Sequence, residues 1–317
     1  MAGYGYLRRI AVSYVSLRIE DLTKHYKKGL KEKIVALEGL NLKILKGEIF
    51  GFVGPNGAGK STTIKIIMNL IFPTRGRVEI LGKDFRLPQA REHLGYLQEN
   101  PSFYDHLTGE EFLCFAAKLM GMEGKGIKRR IYELLELVGL EHAGKMAIRK
   151  YSKGMAQRLG IAQALVGDPQ IIIMDEPMSG LDPLGRGEVS KLILGLKDAG
   201  KTVFFSSHIL HDVETICDRV GILVKGHLTY LGSPSRILDT TTWILKLEGD
   251  HRNTLQERGF QNVKLAGHVT QAEIPENGLW DAVNAVRGLG LPLYALERKK
   301  LTLEEIFLKE VHGESKG

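Results

Sequence analysis

Gly54-Pro55-Asn56-Gly57-Ala58-Gly59-Lys60-Ser61 constrains this chain more than any other segment. It satisfies the pattern G-x-x-x-x-G-K-[ST], which requires a strand before it and a helix after it. The sequence offers both. Ile49-Phe50-Gly51-Phe52-Val53 reads as a short buried strand, and Ser61 to Leu70 carries Ile64, Ile67 and Met68 at helical spacing. The glycines let the backbone curl so that successive N–H groups point inward at phosphate oxygens. The helix N-terminus adds the positive end of its dipole. In such a loop Lys60 reaches the β- and γ-phosphates of a nucleotide and the Ser61 hydroxyl ligates Mg²⁺. A Gly-rich turn ahead of a helix would carry the same letters, and the strand-loop-helix setting weighs against that plainer explanation.

A chain of 317 residues has room for two domains, and 43% hydrophobic content suits a globular protein. No window approaches the roughly 20 uninterrupted apolar residues of a membrane span. The N-terminal run Tyr4 to Val12 is too short for a signal peptide. Two cysteines, Cys114 and Cys217, propose neither a disulfide framework nor a metal site. Together these observations point to the cytosol. The net charge of +7 is spread along the chain in small clusters such as Lys128-Arg129-Arg130, as expected of solvated surface. Attraction to an anionic membrane face or to nucleotide is the sharper alternative.

Leu17 to Leu22 and Ile34 to Ile44 alternate as strands of an antiparallel layer, and Val78 to Leu81 adds another strand. From Gly109 to Leu140 the periodicity is helical, broken between Gly121 and Gly126. Ile171-Ile172-Ile173-Met174 is a continuous apolar run of the kind found in buried parallel strands. A helix (Val189 to Leu196) and a strand (Thr202 to Ser206) follow, so strands and helices alternate around an α/β core. Composition shifts at Gly232-Ser233-Pro234. Beyond it the order strand (Trp243–Leu247), helix (Thr254–Gly259), strands (Val263–Leu265, Val269–Ile274), helix (Leu279–Val286), strand (Leu291–Leu296) resembles a ferredoxin-like split β-α-β unit. A last helix, Leu303 to Val311, carries Ile306, Phe307 and Val311 on one stripe.

Two carboxylates, Asp175 and Glu176, stand at the C-terminal end of the Ile171–Met174 strand, where α/β sheets bind ligands. Asp175 is suited to hold Mg²⁺, directly or through water. Glu176 can polarise a water for in-line attack on a γ-phosphate. In Tyr151-Ser152-Lys153-Gly154-Met155-Ala156-Gln157-Arg158, Ser152 is a candidate N-cap, which makes a second helix N-terminus able to take an anion. Two such termini are hard to explain with one nucleotide per monomer.

From Leu17 to Gly232 these motifs, in this order, resemble the nucleotide-binding subunit of an ABC (ATP-binding cassette) transporter. Gly54, Pro55, Asn56, Gly57, Ala58, Gly59, Lys60, Ser61 and Thr62 resemble its Walker A motif, and Ile171–Glu176 its Walker B, with Glu176 in the catalytic position. Ser152 to Met155 resembles the signature motif, with Ser152 and Gly154 as its phosphate cradle. Ser179-Gly180-Leu181-Asp182 resembles the D-loop, His208 the switch histidine that contacts the γ-phosphate, and Tyr26 the aromatic that stacks on adenine. The signature reads Ser-Lys-Gly-Met where many members have Ser-Gly-Gly-Gln, a variant similar to that of exporter ATPases. For the Q-loop, counting back from Tyr104 gives Glu99, with Gln98 beside it; either could meet Mg²⁺ and the attacking water.

The resemblance implies a P-loop NTPase fold of the ABC type (a RecA-like core, an antiparallel β layer and a helical subdomain) over residues 16–234. A small C-terminal α+β accessory domain spans 235–317 and an extension spans 1–15. It further implies ATP and Mg²⁺ as ligands and a head-to-tail homodimer with ATP between Walker A of one copy and the signature of the other. A separate transmembrane permease would dock near Asp105–Leu140, on the inner face of the membrane. The accessory domain resembles the tails of exporter-type ATPases and would serve regulation or dimer stabilisation. A soluble ABC ATPase acting on ribosomes or nucleic acid is the alternative. The single cassette and the short Leu70–Tyr151 interval speak against it, so no nucleic acid is expected. A non-hydrolysing regulator is disfavoured by Glu176 and His208.

Overall fold

Continuous apolar runs flanked by loop residues build a parallel sheet, and strands with a polar alternate face build an antiparallel one. This chain uses both. The computed structural model describes residues 15–28, 32–124, 126–234, 238–300 and 302–312. All but Val15 of the N-terminal extension therefore lies outside the described residues.

Strands β1 (Val15–Lys28) and β2 (Glu32–Leu45) pair antiparallel and lead into β3 (Ile49–Val53). The phosphate loop and helix α1 (Lys60–Ile67) follow. Then come β4 (Arg75–Ile80), β5 (Lys83–Asp84), α2 (Pro88–Arg91) and β6 (Leu94–Leu97). The helical segment contains α3 (Gly109–Leu119), α4 (Gly126–Leu137) and α5 (Lys153–Ala164). The unit closes with β7 (Ile171–Met174), α6 (Pro183–Asp198), β8 (Thr202–Ser207), α7 (Leu210–Ile216), β9 (Arg219–Val224) and β10 (His227–Gly232).

One sheet is antiparallel, in the order β2-β1-β4-β5. The other runs β10-β9-β3-β8-β7-β6, parallel from β9 to β6 with β10 antiparallel at its edge. A single core joins the two sheets. Leu17, Ile19, Leu37 and Leu42 from the antiparallel layer, Ile64 and Ile67 from α1, and Phe50, Ile173 and Phe204 from the parallel sheet belong to the same buried cluster. The rings of Phe50 and Phe204 stack on adjacent strands with centroids 5.9 Å apart. Burying this many large side chains, each worth about 1.5–3 kcal/mol, makes the sheet a rigid base for the loops at its edge.

Several boundaries differ from the sequence expectation for physical reasons. Helix α1 stops at Ile67 rather than Leu70, because Asn69 is left-handed (φ 57°) and Leu70 N–H turns back to Lys65 O. Helix α6 starts six residues before Val189, with Asp182 capping the Gly185 N–H and Pro183 supplying a pre-set φ at the first turn. Strands β6, β9 and β10 were not expected from the sequence.

A second compact unit begins beyond Pro234. Strands β11 (Leu238–Glu248), β12 (Gln261–Ala266), β13 (Val269–Pro275) and β14 (Leu293–Lys300) form an antiparallel sheet in the order β12-β13-β11-β14. Helices α8 (Arg252–Glu257) and α9 (Leu279–Gly288) alternate with them, and α10 (Leu303–His312) ends the described chain. Relative to the unit's own first strand the order is 2-3-1-4, that of a split β-α-β fold. Leu245, Leu247, Leu255, Ala272, Ile274 and Val286 make its small core.

Candidate functional site

Parallel register gathers the ends of four strands at one edge of the sheet, with β6 and β7 stopping two residues short of β3 and β8. Val53 sits opposite Ser207, Leu97 opposite Met174, and Met174 opposite Phe205. The next residues of each strand therefore leave the sheet at its C-terminal edge, the usual place for ligands in α/β folds. These are Gly54, Gln98, Asp175 and His208.

Gly54 to Gly59 turns there with little room to spare. A Cβ on Gly54 would strike the Leu223 carbonyl oxygen. One on Gly59, at φ +112°, would strike that of Ala36. Gly57 (φ +80°) faces open space beside exposed Asn56, while Ala58 is buried and its carbonyl accepts from Gly226 N–H. Only glycine meets both the φ values and the close approaches. Lys60 opens α1 with its side chain 6% exposed. Its ammonium donates to Gly54 O (2.7 Å) and Pro55 O (3.4 Å), the carbonyls at the start of the loop it closes. Ser61 and Thr62 follow, both partly buried.

The two acids after β7 face different partners. Asp175 is almost fully buried; its Oδ1 accepts from Ser61 Oγ at 3.3 Å and from Ser206 Oγ at 2.6 Å. Glu176 is held at φ +51°, a left-handed conformation that costs a non-glycine residue about 1–2 kcal/mol. Its amide donates to Ser206 Oγ (2.9 Å) and its Oε1 lies 3.4 Å from Lys60 Nζ. Its Oε2 is 2.7 Å from His208 Nδ1 and accepts from His208 N–H at 3.3 Å. The strained backbone turns the second carboxylate away from the first, towards the phosphate loop and the end of β8. Lys60, Ser61, Asp175, Glu176 and His208 are thus gathered in one place, as the sequence motifs predict.

Ser206 joins the two acids and was missed from the sequence. The signal was present: Thr202–Ser207 is buried throughout, and a hydroxyl inside such a strand must find a partner. Tyr96 on β6 lies close enough to Asp175 and Glu99 to feel their charge. Burial, with those two acids, pushes its hydroxyl up to about 12. Gln98 and Glu99 leave β6 at the same edge, where the Gln98 amide donates to Asn100 O at 3.1 Å and Glu99 is exposed. Among the described residues neither is bonded to Asp175 or Glu176.

The remaining candidates stand apart. Ser152 caps α5, accepting from Met155 N–H at 3.2 Å, and with Gly154 lines a cavity of about 300 Å³ shared with Gly180, Leu181 and Asp182. None of residues 54–62 lines that cavity. Tyr26 on β1 is 37% exposed, with the Lys24 ammonium 5.0 Å from its ring centroid.

Ser61 Oγ and Asp175 Oδ1 are hard oxygen donors next to the Gly54–Gly59 loop, a set that fits Mg²⁺ held together with phosphate oxygens. Chemically, the edge of this sheet can bind a polyphosphate, hold a divalent cation against it and present a carboxylate to water.

Known proteins agree with that reading. Residues 37–179 match the family model of the ABC transporter domain. An uncharacterised ABC transporter ATP-binding protein of Nostoc sp. is 42% identical over 92% of this chain and 88% of its own. The bacitracin transport ATP-binding protein BcrA of Bacillus licheniformis is 43% identical over 67% of this chain and 68% of its own. Among solved structures, a dimeric ATP-binding cassette in a post-hydrolysis state, bound to ADP and Pi, superposes with a TM-score of 0.63 at 29% identity, covering 68% of this chain and 98% of that one. With the phosphate loop, the acid pair and these relatives in agreement, the chain belongs to the family of ABC transporter ATP-binding subunits.

Proposed function

We propose that this chain hydrolyses ATP to drive export of a substrate through a separate membrane subunit. The observation that carries the proposal is Glu176, fixed between Lys60 and His208 and next to the Ser61–Asp175 pair. Gly54 to Thr62 cradle the phosphates and Lys60 neutralises the β- and γ-oxygens. Tyr26 offers its ring to the adenine. Ser61 and Asp175 would hold Mg²⁺, with Gln98 or Glu99 completing the set; such an ion would supply charge neutralisation at the phosphates. Glu176 accepts the proton of the attacking water. His208, bonded to Glu176 through Nδ1, keeps its ring in place at the γ-phosphate side.

The Ser152 end belongs to a different cavity from the phosphate loop, which supports a composite site. A second copy of the chain would supply Ser152 and Gly154, and closure would bring the α5 dipole onto the γ-phosphate. We assign catalysis to residues 16–234 and an accessory role in dimer stability or regulation to 235–317. No helix among the described residues is long and apolar enough to cross a membrane. Transport therefore needs a permease, with this chain peripheral on the inner membrane face. The relative BcrA, a bacitracin transport ATP-binding protein, supports a role in transport.

Glu176→Gln keeps the shape and removes the base. Turnover should fall by roughly 10²–10⁴, and an ATP-bound dimer should accumulate on a sizing column. Undiminished hydrolysis would show that Glu176 is not the base. A polytopic membrane protein that co-purifies with the chain supports transport; ribosomes or DNA in its place would support the soluble alternative.

A further inference from the structure

The second signature residue, Lys153, departs from the glycine common in the family, and the structure gives its side chain a specific place. It lies across Gly180: a Cβ built on Gly180 would collide with the Lys153 ammonium, with the lysine Cε 3.1 Å and Cδ 3.8 Å away. Gly180 has φ +67° and stands midway along the segment from Glu176 to Asp182. The Lys153 side chain is exposed and, among the described residues, its ammonium has no carboxylate or carbonyl partner; its charged end lies against the glycine. One turn along α5, on the same face, the buried Gln157 side chain donates to Pro177 O at 2.8 Å, at the start of the same segment. Helix α5 therefore meets residues 177–180 at two points four residues apart on the helix, a hydrogen bond from Gln157 and the close approach of Lys153.

That segment has little other freedom. Glu176 is anchored at its head by Ser206 and His208. Asp182 is committed at its tail to capping α6, and Leu181 O accepts from Arg186. A displacement of the α5 N-terminus, where Ser152 sits, must then be passed to the loop that begins with Glu176. We propose that Lys153 is a positioning residue that latches the signature helix to the D-loop through the space left at Gly180. In this way it couples the Ser152 end of the molecule to Glu176. The part concerning turnover rests on the ATPase reading above; the latch itself does not.

A double-mutant cycle with Lys153→Gly and Gly180→Ala tests it. An alanine methyl at 180 meets the flexible end of Lys153, so it displaces the lysine rather than the backbone. The strain of a side chain at φ +67° is common to both backgrounds and cancels in the cycle. Two readouts are taken on the full chain. In hydrogen exchange, Lys153→Gly should speed the amides of residues 178–181 by about tenfold while leaving those of 54–62 unchanged. In turnover at saturating ATP, Gly180→Ala should cost roughly tenfold in the native background and less than about twofold beside Lys153→Gly, with KM for ATP held in all four proteins. Unchanged exchange in 178–181, or an equal cost of Gly180→Ala in both backgrounds, overturns the latch. A native chain that hydrolyses no ATP refutes the proposed function instead, and the exchange result alone then decides the latch.

Discussion

Ser206→Ala removes a single oxygen and tests how the two acids are held. The side chain is fully buried and makes two bonds, donating to Asp175 Oδ1 and accepting from Glu176 N–H. Without the hydroxyl, the Glu176 amide and one Asp175 oxygen lose their partner inside the protein, at about 1–3 kcal/mol each. Asp175 keeps its longer bond from Ser61, which lessens the second loss. A net cost of about 2–3 kcal/mol follows. At about 2–4 °C per kcal/mol for a unit of this size, the melting temperature should drop by roughly 4–12 °C. Stability is only half of the expectation. The amide bond to Ser206 is one of the contacts holding Glu176 at φ +51°, and a shift of about 1 Å in a reacting group can cost 10²-fold. ATP turnover at 25 °C should therefore fall by roughly 10- to 100-fold while KM for ATP stays near native, since the phosphate loop is untouched. Thermal melting and steady-state hydrolysis on the same preparation measure both. A variant that melts and turns over like the native protein would refute the argument that Ser206 positions Glu176.

Tyr26→Ala should weaken ATP binding by roughly 5- to 150-fold, the worth of one base–aromatic stack, whereas Tyr26→Phe should not; fluorescence titration with a nucleotide analogue separates the two. Burial raises the Glu48 carboxyl above its usual range despite the Leu45 amide and Arg219 beside it. The stability it contributes is complete below the unfolded value of 4.5 and is lost as pH rises through the folded one, so Glu48→Gln should flatten that part of the pH–stability curve. Burial likewise raises the Cys217 thiol; iodoacetamide at neutral pH should leave it unmodified in the folded protein and label it in denaturant, as read by mass spectrometry. Deleting 235–317 should weaken dimer formation or transport, and sedimentation with a transport assay showing neither would remove the proposed role of that segment.

What could be read from the sequence was local. The phosphate loop, the Ile171–Met174 strand with its acid pair, and the Ser152 cap each carry their meaning within about ten residues. The split β-α-β unit was readable because its strands and helices alternate with turns between them. The strands that went unread carry no clear signal of their own. Leu94–Leu97 is four residues long and contains Gly95, and it is recognisable as a strand only from its place beside Ile171–Met174. The glycine itself is explained by helix α5, since a Cβ there would strike Ala164 O. The hairpin of Arg219–Val224 and His227–Gly232 turns at Lys225-Gly226, both at positive φ. A lysine in the first of those positions hides a turn that Asn-Gly or Asp-Gly would have announced. Ser206 went unassigned because its partners lie about 30 residues upstream and nothing in its neighbourhood names them.

The stepped edge at which the parallel strands end also limits how this gene can change. Helices α3, α4 and α6 present solvent faces where substitution is tolerated, and their loops can lengthen. Strand β7 has no such slack. Asp175 and Glu176 follow it directly, so adding one residue within Ile171–Met174 would leave Met174 facing Ser61 and Asp175 facing Lys60, and deleting one would bring Glu176 to Ser61 and Pro177 to Lys60. A library of single-residue insertions should lose function sharply across that strand while the fold survives, a pattern opposite to that of most surface positions.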